Sequence, residues 1–265
     1  MDIYLRILGI CSPVRVGNNF YKVAALMHNM FLNKKPFVVK KLDYTKPFIV
    51  LNFKTYKEGS GENAIKLALI AEKVQKKLDI NIIVCVETTY LEEVAKRVKI
   101  PVFAQHVDYE TLGKSTGNII PEELLNINVH GSLLNHSEKR LSLKIIEKTI
   151  IRMKELDMTS IVCAKDYNEA KKISSFKTIR PTFIAIEPPE LIGGEVSVSQ
   201  AKPDVIIKSV KACGNEPVLV GAGVKTNEDV KIALKNGARG VLLASHFVLA
   251  KDPEKFLMDL LKDVK

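Results

Sequence analysis

The chain contains no tryptophan, only 14 glycines and 11 prolines in 265 residues, four scattered cysteines and no long apolar run. The lack of tryptophan excludes nothing by itself, but so little glycine and proline excludes collagen-like and low-complexity classes. No stretch approaches the roughly 18 to 20 uninterrupted apolar residues that a membrane-spanning helix needs, so no membrane partner is expected. Cys11, Cys85, Cys163 and Cys213 stand singly, with no C-x-x-C pair and no histidine nearby at metal-ligand spacing. Neither a disulfide framework nor a bound metal is therefore expected. The later cysteines lie in or beside apolar runs and read as small buried hydrophobes. A reducing, cytoplasmic location fits that usage.

What is present is an ordinary globular balance, 46% hydrophobic and 26% charged, enough for one sizeable core. The net charge of +10 is unevenly placed. Residues 1–47 carry eight basic and two acidic side chains, whereas residues 48–265 carry 32 and 28. A basic segment can contact nucleic acid or an anionic surface. This one has no recognised nucleic-acid motif and few interleaved aromatics, so nucleic acid is not expected as a partner.

From residue 48 onward, short β-branched apolar runs alternate with longer stretches of helical period. The strand candidates are residues 48–52, 80–86, 102–105, 129–134, 159–163, 183–187, 217–220 and 240–243. Helical patterns fall at 61–77, 88–98, 137–156, 168–174, 200–213, 226–236 and 252–265. Thr226 with Asp229 forms a capping start, and Asn236-Gly237 a stop. Residues 108–128 read as loop, with a turn of helix at 121–125. Eight continuous apolar strands alternating with amphipathic helices predict an α/β fold, a (β/α)8 barrel in a single domain. An open doubly wound sheet is the alternative. About 218 residues for eight units is short against the roughly 250 usual for this architecture, so loops and helices are trimmed.

Residues 1–47 stand outside this pattern and form a basic, non-barrel N-terminal extension. Two readings compete: a genuine appended segment, or a translation start placed too far upstream, with Met27 or Met30 as later candidates. The second is preferred.

In a parallel barrel the reacting groups gather at the carboxyl ends of the strands, where the loops converge. Those ends are Asn52-Phe53-Lys54, Asn135-His136-Ser137-Glu138, Glu187-Pro188-Pro189-Glu190, Gly221-Ala222-Gly223 and Ala244-Ser245. An ammonium, an imidazole and a carboxylate thus meet at one mouth beside two small-residue loops. Each has a plainer reading: Lys54 as a solvated loop lysine, Asn52 as a turn residue, His136 as a local hydrogen-bonder at the start of the following helix. Glu187 is harder to set aside, because a carboxylate closing Phe-Ile-Ala-Ile sits at the edge of an apolar core and needs a partner or a task. His28, His106, His130 and His246 read as structural or surface residues.

Six segments in order resemble the triosephosphate isomerase family, in particular its short archaeal form. They are Phe-Ile-Val-Leu-Asn-Phe-Lys-Thr-Tyr (48–56), Ala-Gln-His-Val-Asp (104–108), Leu-Leu-Asn-His-Ser-Glu-Lys-Arg (133–140), Ala-Ile-Glu-Pro-Pro-Glu-Leu-Ile-Gly (185–193), Gly-Ala-Gly-Val (221–224) and Gly-Val-Leu-Leu-Ala-Ser (240–245). The resemblance covers residues 48–265. It implies a TIM barrel that interconverts dihydroxyacetone phosphate and D-glyceraldehyde 3-phosphate, in glycolysis and gluconeogenesis, without a cofactor. By the same resemblance Glu187 is the proton-shuttling base, His136 a neutral imidazole at a helix start that polarises the carbonyl, and Lys54 with Asn52 the source of positive potential. Phe53, Ile192, Gly193, Gly223, Ala244 and Ser245 would complete the substrate and phosphate site, residues 188–197 would be a closing lid, and the assembly would be a homotetramer.

The chain also departs from the family. The archaeal lid usually continues Ile-Gly-Thr-Gly, whereas Ile192-Gly193-Gly194-Glu195 brings a carboxylate toward the phosphate, where charge repulsion would weaken binding. Residues 113–117 lack the histidines often found there, and Asn128-Val129-His130-Gly131 differs from the usual small-residue approach to the histidine strand. Two other functions stand against an active isomerase. One is another phosphate-binding barrel, which would use a Schiff-base lysine in a strand, and no strand carries one centrally. The other is a degenerate barrel that binds without turnover, favoured by Glu195 and the basic segment and opposed by Asn52, Lys54, His136 and Glu187 together.

Overall fold

In the computed structural model, residues 42–188 and 203–264 are described. Eight parallel strands close into a barrel in sequence order: β1 (Phe48–Asn52), β2 (Asn81–Val86), β3 (Val102–Ala104), β4 (Gly131–Leu134), β5 (Thr159–Ala164), β6 (Phe183–Ile186), β7 (Val218–Val220) and β8 (Gly240–Leu243). The closure rules out the open sheet. It is made where Phe48 pairs with Gly240 and Leu51 with Leu243. A side chain at position 240 would lie 1.9 Å from the Phe48 carbonyl oxygen, so only glycine lets the first and last strands meet at this register.

Successive strand residues point to opposite faces, and the burial follows that period of two. Phe48, Val50, Ile83, Leu133, Ile161 and Phe183 pack with residues of the other strands into a closed inner plug. Ile49, Leu51, Ile82, Val84, Val162 and Ile184 face the helices instead. The barrel is thus filled, and a site can exist only at its rims.

The covering helices are α1 (Glu62–Leu78), α2 (Leu91–Arg97), α3 (Pro121–Asn126), α4 (Leu143–Glu155), α5 (Tyr167–Ser174), α6 (Pro203–Cys213), α7 (Asn227–Lys235), α8 (Ser245–Val248) and α9 (Pro253–Leu260). The Thr226–Asp229 capping box is present in full at the start of α7. Among the described residues, no helix is long and apolar enough to cross a membrane.

Besides the unexpected α8 and the end of α9 at Leu260 rather than near 265, two elements differ from the sequence expectation. The helix expected from residue 137 begins at Leu143, because residues 137–142 make a turn and Ser142 is the side chain that caps, accepting from the Ile145 amide. Residues 42–47, placed with the N-terminal extension on sequence grounds, pack on the barrel floor. The Tyr44 ring stacks on Phe183 at 5.9 Å, Asn81 donates to the Asp43 carbonyl at 2.7 Å, Lys46 pairs with Asp79 at 2.6 Å, and Arg239 donates to the Tyr44 carbonyl. Positions 1–41 lie outside the described residues.

Candidate active site

At the opposite rim, the carboxyl ends of β1, β4, β6, β7 and β8 enclose a cavity of about 250 Å³. Lys54, His136, Glu187, Gly223, Ala244 and Ser245, all singled out from the sequence, line it together. Tyr56, Glu138, Gly221, Val224, Leu242, Leu243 and His246 complete the wall. The volume falls below the range usual for drug-sized ligands and suits a small metabolite.

Each polar group is set by the turn that follows its strand. Asn52 is buried, and its side-chain oxygen accepts the Lys54 amide at 3.0 Å, bending the chain so that Lys54 takes a left-handed φ of 49°. That is the turn role available to any asparagine. Asn52 itself does not reach the cavity wall, and the Phe53 ring points into the core, 6.0 Å from that of Phe247. The Lys54 ammonium lies 2.6 Å from a Glu138 carboxylate oxygen.

After β4, Asn135 also takes a left-handed conformation, φ 59°. Its side chain donates to the Cys163 carbonyl at 2.9 Å and accepts the Leu141 amide at 2.8 Å, while Arg140 donates to its carbonyl at 3.0 Å. This knot presents His136, buried, to the cavity. The imidazole does not sit at a helix start as expected, since α4 begins seven positions later. Its Nδ1 instead accepts the Glu138 backbone amide at 3.2 Å, within the turn closed by the Lys139 amide on the His136 carbonyl. The Glu138 carboxylate is farther from the same nitrogen, at 3.6 Å. A ring nitrogen that accepts carries no proton, so the neutral ring bears its hydrogen on Nε2.

That Nε2 faces Glu187, 3.6 Å from Oε1. Glu187 is only 3% exposed, and its Oε2 has no hydrogen-bond partner among the described residues. Burial raises its pKa above the ordinary carboxylate value, against the lowering effects of His136, the Cys163 thiol and Lys54. The room for this side chain comes from Gly221, where a Cβ would meet Glu187 Cγ at 2.6 Å.

Ile192, Gly193, the lid at 189–197 and Glu195 lie outside the described residues. His106 bonds to Asp108 at 3.0 Å and His130 to Asn128 at 2.9 Å, consistent with structural roles. His246, also read as structural or surface, instead lines the cavity, its pKa lowered chiefly by burial. The signal was there: it lies three residues past the end of β8, where side chains return to the rim. Among the described residues, no group of three His, Cys, Asp or Glu side chains is placed to hold a metal ion.

The family model for triosephosphate isomerase matches residues 47–263, four-fifths of the chain and the whole barrel. The chain belongs to the triosephosphate isomerase family. The curated triosephosphate isomerase of Methanothermus fervidus is 44% identical over 223 residues, spanning 83% of this chain and 99% of that protein. The one from Archaeoglobus fulgidus is 43% identical over 216 residues, 80% of this chain and 96% of the relative. That of Methanocaldococcus jannaschii is 42% identical over 218 residues, 81% and 98%. The match to the family model begins at residue 47, after the basic segment.

Proposed function

We propose that the chain interconverts dihydroxyacetone phosphate and D-glyceraldehyde 3-phosphate, as a glycolytic and gluconeogenic isomerase. The observation that carries this reading is the buried Glu187 carboxylate, one oxygen of which has no partner among the described residues, facing His136 Nε2 at 3.6 Å in a cavity that Lys54 also lines.

Glu187 takes a proton from the carbon beside the carbonyl. The C–H electron pair becomes the carbon–carbon double bond, and the carbonyl oxygen becomes an enediolate oxygen that His136 Nε2–H stabilises by hydrogen bonding. Glu187 then returns the proton to the former carbonyl carbon, while the hydroxyl on the first carbon gives up its proton to the former carbonyl oxygen, so that the new carbonyl forms on the first carbon. This division of labour is the one the family resemblance implies. Lys54 exchanges its Glu138 partner for the substrate's negative charge, with Asn52 holding its turn. Gly223, Ala244 and Ser245, with Ile192 and Gly193 from the loop after β6, complete the phosphate and substrate site, while Phe53 holds the end of β1 in the core. Closure of residues 188–197 keeps water from the enediolate, which otherwise loses its phosphate.

The apolar side chains of Leu112, Leu143, Ile145 and Tyr167 are exposed on a single chain, which supports the homotetramer that the resemblance implies. The free, buried Cys85, Cys163 and Cys213 fit a reducing cytoplasm.

Purified full-length protein is expected to consume D-glyceraldehyde 3-phosphate in a coupled assay, and Glu187→Gln to lower kcat by roughly 10²- to 10⁴-fold. Absence of turnover in the unsubstituted chain would leave a barrel that binds without catalysing.

A further inference from the structure

The Lys54 ammonium can serve an anion only if the backbone beneath it holds a conformation that non-glycine residues seldom adopt. The Lys54 amide is tied to Asn52, directly before the turn. The other end of the residue is tied from farther away. Gln105 follows β3, two strands over, and its side-chain amide passes across the end of β2 to donate to the Lys54 carbonyl at 2.9 Å. The same amide group lies 3.3 Å from the Cys85 carbonyl, which already accepts the Phe53 amide at 3.0 Å. One NH₂ group thus joins the ends of β1, β2 and β3.

Gln105 is itself held. In the loop it opens, His106 bonds to the Asp108 carboxylate at 3.0 Å, the Ile119 amide donates to the same carboxylate at 2.8 Å, and the Asp108 amide donates to the Ile119 carbonyl at 3.0 Å. The base of the loop is pinned, so the glutamine is a fixed strut.

We propose that Gln105 is a positioning residue for Lys54. It clamps the left-handed turn from the carbonyl side, keeps the ammonium aimed into the cavity, and so sets affinity for the substrate's phosphate. The inference rests on the isomerase reading and deepens it. No other residue type of this size does the same. Glutamate keeps the shape but turns an acceptor toward two carbonyl oxygens, and methionine keeps the length but donates nothing.

The test compares Gln105→Glu and Gln105→Met with the unsubstituted protein, measuring kcat, KM and the dissociation constant for inorganic phosphate. Both substitutions are expected to raise KM and weaken phosphate binding, about tenfold or more for Gln105→Glu, with a loss of about 10- to 100-fold in kcat/KM and a smaller loss for Gln105→Met. A residue acting through Lys54 has nothing left to position once the ammonium is gone. In a Lys54→Met background, therefore, Gln105→Met leaves phosphate affinity unchanged. Folded variants with unaltered KM and phosphate affinity would overturn the proposal, as would an equal loss of affinity with Lys54 absent. If the unsubstituted chain shows no turnover, the isomerase reading falls, and the phosphate affinities of the same proteins still decide the role of Gln105.

Discussion

Burying the Glu187 side chain works against folding whenever the carboxyl is ionised, because the raised pKa means that the folded protein holds this proton more tightly than the unfolded chain does. The penalty is absent below the unfolded value, near 4.5, grows as pH rises, and is complete above the folded value. Glu187→Gln is therefore expected to raise the thermal midpoint at neutral pH while removing turnover, with the gain shrinking as pH falls toward about 4.5 and absent below it. As the proposed base, Glu187 must be ionised to act, so the acid limb of the pH profile of kcat/KM should fall at a pH above the ordinary glutamate value, which a rate series at constant ionic strength would show. Gly221→Ala tests the same carboxylate from its other side: a Cβ 2.6 Å from Glu187 Cγ moves that side chain, and kcat should fall about 10²-fold with little change in thermal midpoint. Of the charged members of the site, Glu187 was legible by itself, because a carboxylate closing an apolar run is out of place there, whereas Lys54 and His136 had plainer readings and stood out through the family resemblance. The roles of Gly221, Gln105 and His246 were not legible, although Gly221 stands in the loop after β7 and His246 three residues past the end of β8. One contributes empty space, one a bond to a backbone carbonyl, and one a position on the rim, and none of these is encoded by residue type alone.

At the scale of elements, the strands were readable to within two residues because both their faces are buried, giving continuous apolar runs. The start of α4 was misread because Ser137 to Ser142 is a composition that a helix accepts. The left-handed Asn135, hooked by Arg140, diverts those residues into the turn that carries His136. The sequence-based boundary at residue 48 likewise divided what the structure joins. Residues 42–47 have no periodicity of their own, yet they lay one aromatic ring and several polar contacts on the floor. Two truncations separate the consequences. A chain beginning at residue 42 is expected to keep the full thermal midpoint of the barrel. One beginning at residue 48 loses the Tyr44 stack and the Asp43 and Lys46 contacts, and should melt several degrees lower, about 2 kcal/mol less stable. Equal midpoints for the two would show that the floor contacts contribute nothing. Turnover at room temperature should be similar in both, since the cavity is at the other rim.

For the whole molecule, eight strands and their helices were legible as a barrel, but the assembly was not, because an exposed leucine looks the same in sequence as a buried one. Leu143 and Ile145 are 38% and 37% exposed on the first turn of α4, where an isolated chain would favour polar groups. Light scattering is expected to give about four times the 29.5 kDa chain mass, and the pair Leu143→Asp and Ile145→Asp to give a smaller species. A monomeric mass for the unsubstituted protein would remove the homotetramer. The join between Phe48 and Gly240 bears on how the barrel comes into being in a cell. The first strand leaves the ribosome about 190 residues before the strand that seals its open side. At cellular elongation rates that interval is on the order of 10 to 40 seconds. Throughout it the nascent sheet presents the bare edge of Phe-Ile-Val-Leu to solvent, an invitation to pair with another chain. Capture of the nascent chain by a chaperone that binds exposed strand edges is therefore expected to fall once Val241 has emerged and paired with Ile49.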